Sequence, residues 1–290
     1  MPVPASQGWL IAAAAVLGLF VGSFLNLCIF RIPRNCMNVF RGPSGCPGCR
    51  RKRSWAERVP VVGWFASLGQ CPACHHSYSL REPTIELLTA SLWALSAWRA
   101  ISALPAELLP VQRGILFVIT SWLCCVMIIS TFINLDFGIL PDEMTLTGIL
   151  IGLACSTLFP FPTGVRLLPN SSPWIGGVLT SLAGVAVGGL APFIVGVLMK
   201  LQGHREVIGM GVIKYSAMLG GILGPADAAL CFILSAALGT LFGLVRFTLR
   251  RRMGYVQFGP FQSVAALALI FWSPQIHFFL QSFSLIHLRR

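Results

Sequence analysis

Five stretches of this chain carry no Asp, Glu, Lys or Arg: 1–30, 114–135, 144–165, 167–199 and 253–288. Several exceed the roughly 20 residues that an α-helix needs to cross a bilayer. Of 290 residues, 56% are hydrophobic and 10% charged, too little charge to cover the surface of a soluble domain. The expected fold is therefore all-α, a polytopic membrane protein of about eight transmembrane helices. A formal net charge of +12 does not point to nucleic acid in such a protein. It points to cytoplasmic loops and to contact with anionic lipid.

The spans are expected at 8–30, 84–105, 113–133, 144–160, 174–199, 212–225, 228–246 and 259–281. Arg99 interrupts the second, and the sixth is short. The first apolar run has no basic residue before it, and Arg31 and Arg34 follow it. That is the reverse of a signal peptide, so it is expected to stay as a span with its C-terminal end in the cytoplasm. Sixteen of the 21 Lys and Arg residues lie in or beside the segments 31–82, 134–143, 200–211 and 247–258, all on the side where the first span ends. The excess of basic residues makes that side cytoplasmic. Three regions follow: a first transmembrane helix (1–30), a basic cytoplasmic loop (31–83) and a helical membrane domain (84–290).

The cytoplasmic loop holds CPGC (46–49) and CPAC (71–74), with 21 residues between the pairs. Two C-x-x-C knuckles can close Cys46, Cys49, Cys71 and Cys74 around Zn²⁺ as a ribbon-like structural site, since four thiolates leave no open position for a substrate water. The neighbouring Arg and Lys residues offset the negative charge of such a site. A reducing cytoplasm argues against disulfides, and the other reading is a redox-active or unliganded loop. His75 and His76 are expected in solvent. Cys28, Cys36, Cys124, Cys125, Cys155 and Cys231 are expected as apolar packing residues.

The order of short motifs carries a resemblance. GSFLNLCIFRIP (22–33), CPGC, RVPVVGWF (58–65), CPAC and REPTIELLTA (81–90) are followed by FINLDFGILPDEMTL (132–146) and GMGVIKYSAMLGG (209–221). Taken together over nearly the whole chain, these resemble type IV prepilin peptidases. That family consists of bifunctional membrane enzymes that cut prepilin leaders and N-methylate the new N-terminus. The resemblance implies a bacterial inner membrane location and a pilin or pseudopilin leader with its first hydrophobic helix as partner. It also implies S-adenosylmethionine as a methyl donor, although no glycine-rich fingerprint locates a site for it.

In that family two aspartates hydrolyse the peptide, one in a pattern like I-D-x-D-x-x-x-L-P-D and the other in G-x-G-D. Two close carboxylates share a proton, so that one acts as acid while the other activates water. Here the first pattern reads I-N-L-D-F-G-I-L-P-D, and Leu140-Pro141-Asp142 fixes its register. Asn134 falls on the first catalytic position, and Asp136 on the second, non-catalytic acid. G-M-G-V places Val212 on the other catalytic position. Asparagine cannot accept a proton as a base, and valine can do neither task, so proteolysis is expected to be lost or impaired.

A rescue dyad of Asp136 with Glu206 would need Glu206 to reach across a glycine turn, and catalytic geometry tolerates about 1 Å of misplacement only at a considerable loss of rate. Asp136, Asp142 and Glu143 are expected as helix-end carboxylates. Gly209 and Gly211 keep the turn. Lys214, which in an active site would sit beside the missing carboxylate, is expected to reach for the interface. Glu86 matches a family glutamate and is expected to pair with a loop arginine. The contrasting reading is a non-catalytic zinc-ribbon scaffold in a pilus or type II secretion assembly. A transporter is disfavoured, because no span carries an intramembrane charge suited to a substrate path, apart from Arg99.

Overall fold

A computed structural model describes residues 7–34, 45–46, 48–103, 109–158, 172–203, 208–250 and 257–287. Among these residues the regular structure is helical, with two isolated β-bridges and no strand. The helices are α1 (Gly8–Arg31), α2 (Val62–Ala66), α3 (Arg81–Trp98), α4 (Pro110–Phe137), α5 (Asp142–Leu158), α6 (Pro173–Leu201), α7 (Met210–Leu223), α8 (Pro225–Arg250) and α9 (Gly259–His287).

Apart from the short α2, each helix overlaps one expected span. By length and composition α1, α4, α6 and α8 can cross a membrane, and α7 is a shorter apolar helix. Most helices start two or three residues before the expected span. Pro110, Pro173 and Pro225 each open a helix. Proline suits the first turn because its missing N–H would have no helical partner there. Asp142 and Glu143 open α5, where their charge faces the positive end of the helix dipole. Limits drawn at charge-free residues leave out these first turns.

The second expected span ends differently. α3 stops at Trp98, and a π-helical turn, Arg99–Ala103, carries the buried Arg99. α9 is kinked: Trp272 has φ −129°, two residues before Pro274, as a proline inside a helix requires.

Packing divides the chain into two compact units, Met1–Ile133 and Asn134–Arg290, with the division inside α4. In the first unit α1 lies against α3 nearly backbone to backbone. A Cβ on Gly18 would stand 2.7 Å from the Ala90 Cα, and one on Gly22 would stand 2.7 Å from the Glu86 Cα. Small residues four apart permit this approach where water gives no hydrophobic drive. The second unit repeats the device. A Cβ on Gly184 of α6 would lie 2.0 Å from the Gly220 carbonyl oxygen of α7, and one on Gly188 would lie 2.3 Å from that of Ser216. Ser181 Oγ donates to the Gly221 carbonyl across the same crossing, 2.7 Å.

Candidate functional site

Two places hold the residues singled out in the sequence. The first, in the first unit, is the cysteine loop. Its two knuckles are built alike. Cys46 N–H donates to the Arg51 carbonyl and Arg50 N–H to the Cys46 carbonyl, at 2.9 and 2.8 Å. Cys71 N–H donates to the His76 carbonyl and His75 N–H to the Cys71 carbonyl, also at 2.9 and 2.8 Å. The fourth residue after each first cysteine takes positive φ, 59° at Arg50 and 54° at His75. One bridge closes each knuckle, Gly45 with Lys52 and Gln70 with Ser77.

The folded knuckles bring the four sulfurs within 4.8 Å of one another. Cys46 and Cys74 are 3.5 Å apart, and Cys49 and Cys71 are 3.8 Å apart. Zinc–sulfur bonds of about 2.3 Å in a tetrahedron require sulfurs about 3.8 Å apart. The donors are therefore close to the spacing a tetrahedral ion needs. The backbone N–H groups of Ala73 and Cys74 point at the Cys71 sulfur and hold its thiol down at about 5. At Cys74 the His76 N–H also pulls down, but burial and the three neighbouring sulfurs outweigh it and push the thiol up to about 12. Four crowded sulfurs cannot all ionise without a cation among them. His75 and His76 are exposed, as expected.

This ribbon is fastened to the α1–α3 pair. Arg53 makes a two-pronged pair with Glu82, at 2.9 and 3.2 Å, and its guanidinium covers the Tyr78 ring. Asn26 of α1 donates to the Glu82 carbonyl, 3.0 Å. Glu86 is buried and accepts the Val61 N–H at 2.6 Å. The arginine partner expected for Glu86 thus belongs to Glu82, one turn earlier, and Glu86 secures backbone instead. Val61 needs that support. Its φ of 61° and ψ of −56°, with Val62 N–H donating to the Pro60 carbonyl at 2.6 Å, form a γ-turn centred on a β-branched residue. Such a turn is rare and strained.

The second place holds Asn134 and Val212, in the second unit. Asn134 is 5% exposed and Val212 8% exposed. The chain leaves α4 through Gly138, at φ 69°, whose N–H returns to the Asn134 carbonyl at 2.8 Å. Asn134 Nδ2 donates to the Ile139 carbonyl at 3.4 Å, and its Oδ1 is buried with no hydrogen-bond partner among the described residues. Val212 lies in the first turn of α7, after the extended Gly209. A Cβ on Gly211 would stand 3.1 Å from the Leu140 Cβ, so the glycine turn packs on the Leu140-Pro141-Asp142 corner. Lys214 Nζ reaches Asp142 Oδ2 at 2.7 Å. The corner thus supplies Lys214 with a carboxylate partner.

Asp136 follows Asn134 by two residues, about 200° around a helix, and is exposed where Asn134 is buried. Glu206 lies outside the described residues, as does Cys36.

The structure adds residues that sequence reasoning passed over. Gln262 of α9 is 1% exposed and donates to Ser216 Oγ, which donates to the Val212 carbonyl at 2.8 Å. Tyr215 OH and Ser263 Oγ are 2.7 Å apart. Gly259 opens α9 against Asn134, where a Cβ would meet Oδ1 at 2.9 Å. The available signal was a glutamine and a serine inside a charge-free stretch. A further buried carboxylate, Asp227, pairs with His277 at 2.7 Å.

Comparison with known proteins bears on this arrangement. The model of the bacterial peptidase A24 N-terminal domain matches residues 16–100. A prepilin leader peptidase/N-methyltransferase of Stutzerimonas stutzeri is 30% identical over 291 residues, covering 92% of each chain. One of Pseudomonas putida is 30% identical over 93% of each. One of Myxococcus xanthus is 31% identical over 82% of this chain and 64% of its own length. No solved structure matches the chain.

Proposed function

The chain belongs to the prepilin leader peptidase/N-methyltransferase family, and we propose that it holds a type IV pilin-like precursor without cutting its leader. Its apolar helices and its relatives make it a multi-pass protein of the bacterial inner membrane. The ligand of this reading is the leader and first hydrophobic helix of the precursor, met at the cytoplasmic ends of α4 and α7.

The observation that carries the proposal is that Asn134 and Val212 stand where the resembled motifs place carboxylates, within an otherwise intact pair of motifs. Five of the nine acids have other work. Glu57 pairs with Arg51, Glu82 with Arg53, Asp142 with Lys214 and Asp227 with His277. Glu86 holds Val61. Asp136 and Glu143 are exposed, and Glu107 and Glu206 lie outside the described residues. An aspartic mechanism needs two carboxylates sharing a proton, and a single acid beside an amide does not supply it.

The cysteine cluster can hold a metal ion. Within this reading the ion is Zn²⁺ on the cytoplasmic side, and its role is structural. S-adenosylmethionine enters only through the methyltransferase half of the family name, and methyl transfer onto an already processed pilin tests it.

The decisive experiment incubates purified protein with a prepilin substrate. No leader cleavage is expected, and N134D/V212D is expected to gain some. Cleavage by the unsubstituted chain overturns the proposal. Co-purification then separates two non-catalytic roles: capture of unprocessed prepilin supports this reading, and exclusive capture of assembly-platform proteins supports a scaffold.

A further inference from the structure

Between α1 and α3 the ribbon exposes large apolar side chains that its fold has no need to expose. Trp55 is 81% exposed and Leu68 84%, with Val62, Phe65 and Leu80 more than half exposed. In α2, Val62 and Phe65 lie outward while Gly63 is packed on the Glu57 carbonyl. Leu68 takes φ 50°, a conformation that an ordinary side chain adopts only under strain. Backbone strain of this kind points to a functional demand on the residue, and here it accompanies the most exposed leucine of the loop.

The same stretch is strongly basic. Arg50, Arg51, Lys52 and Arg58 are exposed. The acids nearest to them are engaged, Glu57 with Arg51 and Glu82 with Arg53. Residues 45–80 thus combine an excess of positive charge with exposed aromatic and aliphatic side chains. Tryptophan beside Lys and Arg is the composition of a surface that lies in the headgroup layer, apolar side chains inward and cations on lipid phosphates. The tethering agrees. The loop leaves α1, which is long and apolar enough to cross the membrane, and re-enters helix at Arg81 directly after the exposed Leu80.

We propose that the exposed side chains of Trp55, Val62, Phe65 and Leu68 dock on the anionic surface of the bilayer, with Arg50, Lys52 and Arg58 on lipid phosphates. The proposal rests on the membrane placement of α1 and is independent of whether the chain binds or cuts a prepilin.

The full chain in lipid nanodiscs tests it. The chain has eight tryptophans, so Trp55 is isolated as the difference between the emission of the unsubstituted protein and that of Trp55→Phe. In nanodiscs containing phosphatidylglycerol, acyl-brominated lipid is expected to quench the Trp55 signal, and aqueous iodide is expected to leave it. The quenching is expected to weaken in purely zwitterionic nanodiscs and in R50Q/K52Q/R58Q. Circular dichroism and metal content confirm that each variant is folded. Iodide quenching without quenching by brominated lipid overturns the proposal. So does a Trp55 shielded only after a prepilin is added, which would make these side chains protein-docking ones. Equal quenching in anionic and zwitterionic discs overturns the assignment of anionic lipid.

Discussion

Cys71 and His76 sit five positions apart in one knuckle, and their side chains are expected to matter very differently. The Cys71 sulfur faces three others, whereas His76 contributes a carbonyl and leaves its ring exposed. If the cluster holds the proposed zinc, Cys71→Ser is expected to abolish metal binding and His76→Ala to leave it unchanged, as read by elemental analysis of the purified protein. The ion replaces protons on the sulfurs, so its retention is expected to rise with pH and fall on acidification. Glu86 offers a second test at this scale. Its carboxylate accepts the one N–H that secures the Val61 γ-turn. Hydrogen bonds to charged groups contribute roughly 1.5–3 kcal/mol. Glu86→Ala is expected to destabilise the ribbon by about that amount and Glu86→Gln by less. Hydrogen exchange over 59–66 would show it, and unchanged protection in Glu86→Ala would remove Glu86 from that role.

The helices were legible because the property that makes them is local. An apolar run in lipid must satisfy its own backbone, and charge marks where it surfaces. What the runs do not encode is which helix meets which. Glycines at 18, 22, 184, 188 and 220 look alike in a sequence rich in glycine, yet they set two crossings where backbones touch. The tighter is α6 with α7, since a Cβ on Gly220 would lie 2.1 Å from the Gly184 carbonyl oxygen. A rigid backbone atom cannot give way as a flexible side chain would. Gly220→Ala is therefore expected to part the two helices and lower stability by about 1–3 kcal/mol. Gly114→Ala, where an added Cβ meets nothing within 4 Å, is expected to be neutral. Thermal denaturation in detergent compares the two, and equal melting temperatures would show that the α6–α7 approach is loose.

Across the whole molecule, the candidate residues divide into a part the sequence announces and a part it hides. Spacing announces the four cysteines, and motif register announces Asn134 and Val212. The supporting shell comes from distant segments: Lys214 with Asp142, Gln262 with Ser216, and Gly259 against Asn134. No pattern within one element joins residues 72 positions apart, as Lys214 and Asp142 are. This shell makes leader cleavage by aspartate variants a sharp test of the proposed pair. Aspartate is nearly isosteric with Asn134, so N134D fits the space beside Gly259. At 212 an aspartate stands in the first turn of α7, where the positive end of the helix dipole favours a carboxylate. Neither change alone creates a dyad, because one carboxylate beside an amide or a valine has no partner with which to share a proton. Leader cleavage is therefore expected to be undetectable in N134D and in V212D and measurable in N134D/V212D, with the pair far from additive, as residues acting as one unit are. Asp136 serves as the control, since D136N in the double variant is expected to leave cleavage within a few-fold. If N134D alone cleaves, Val212 does not stand at a catalytic position. If D136N abolishes cleavage by the double variant, the register places the wrong residue of α4 in the dyad.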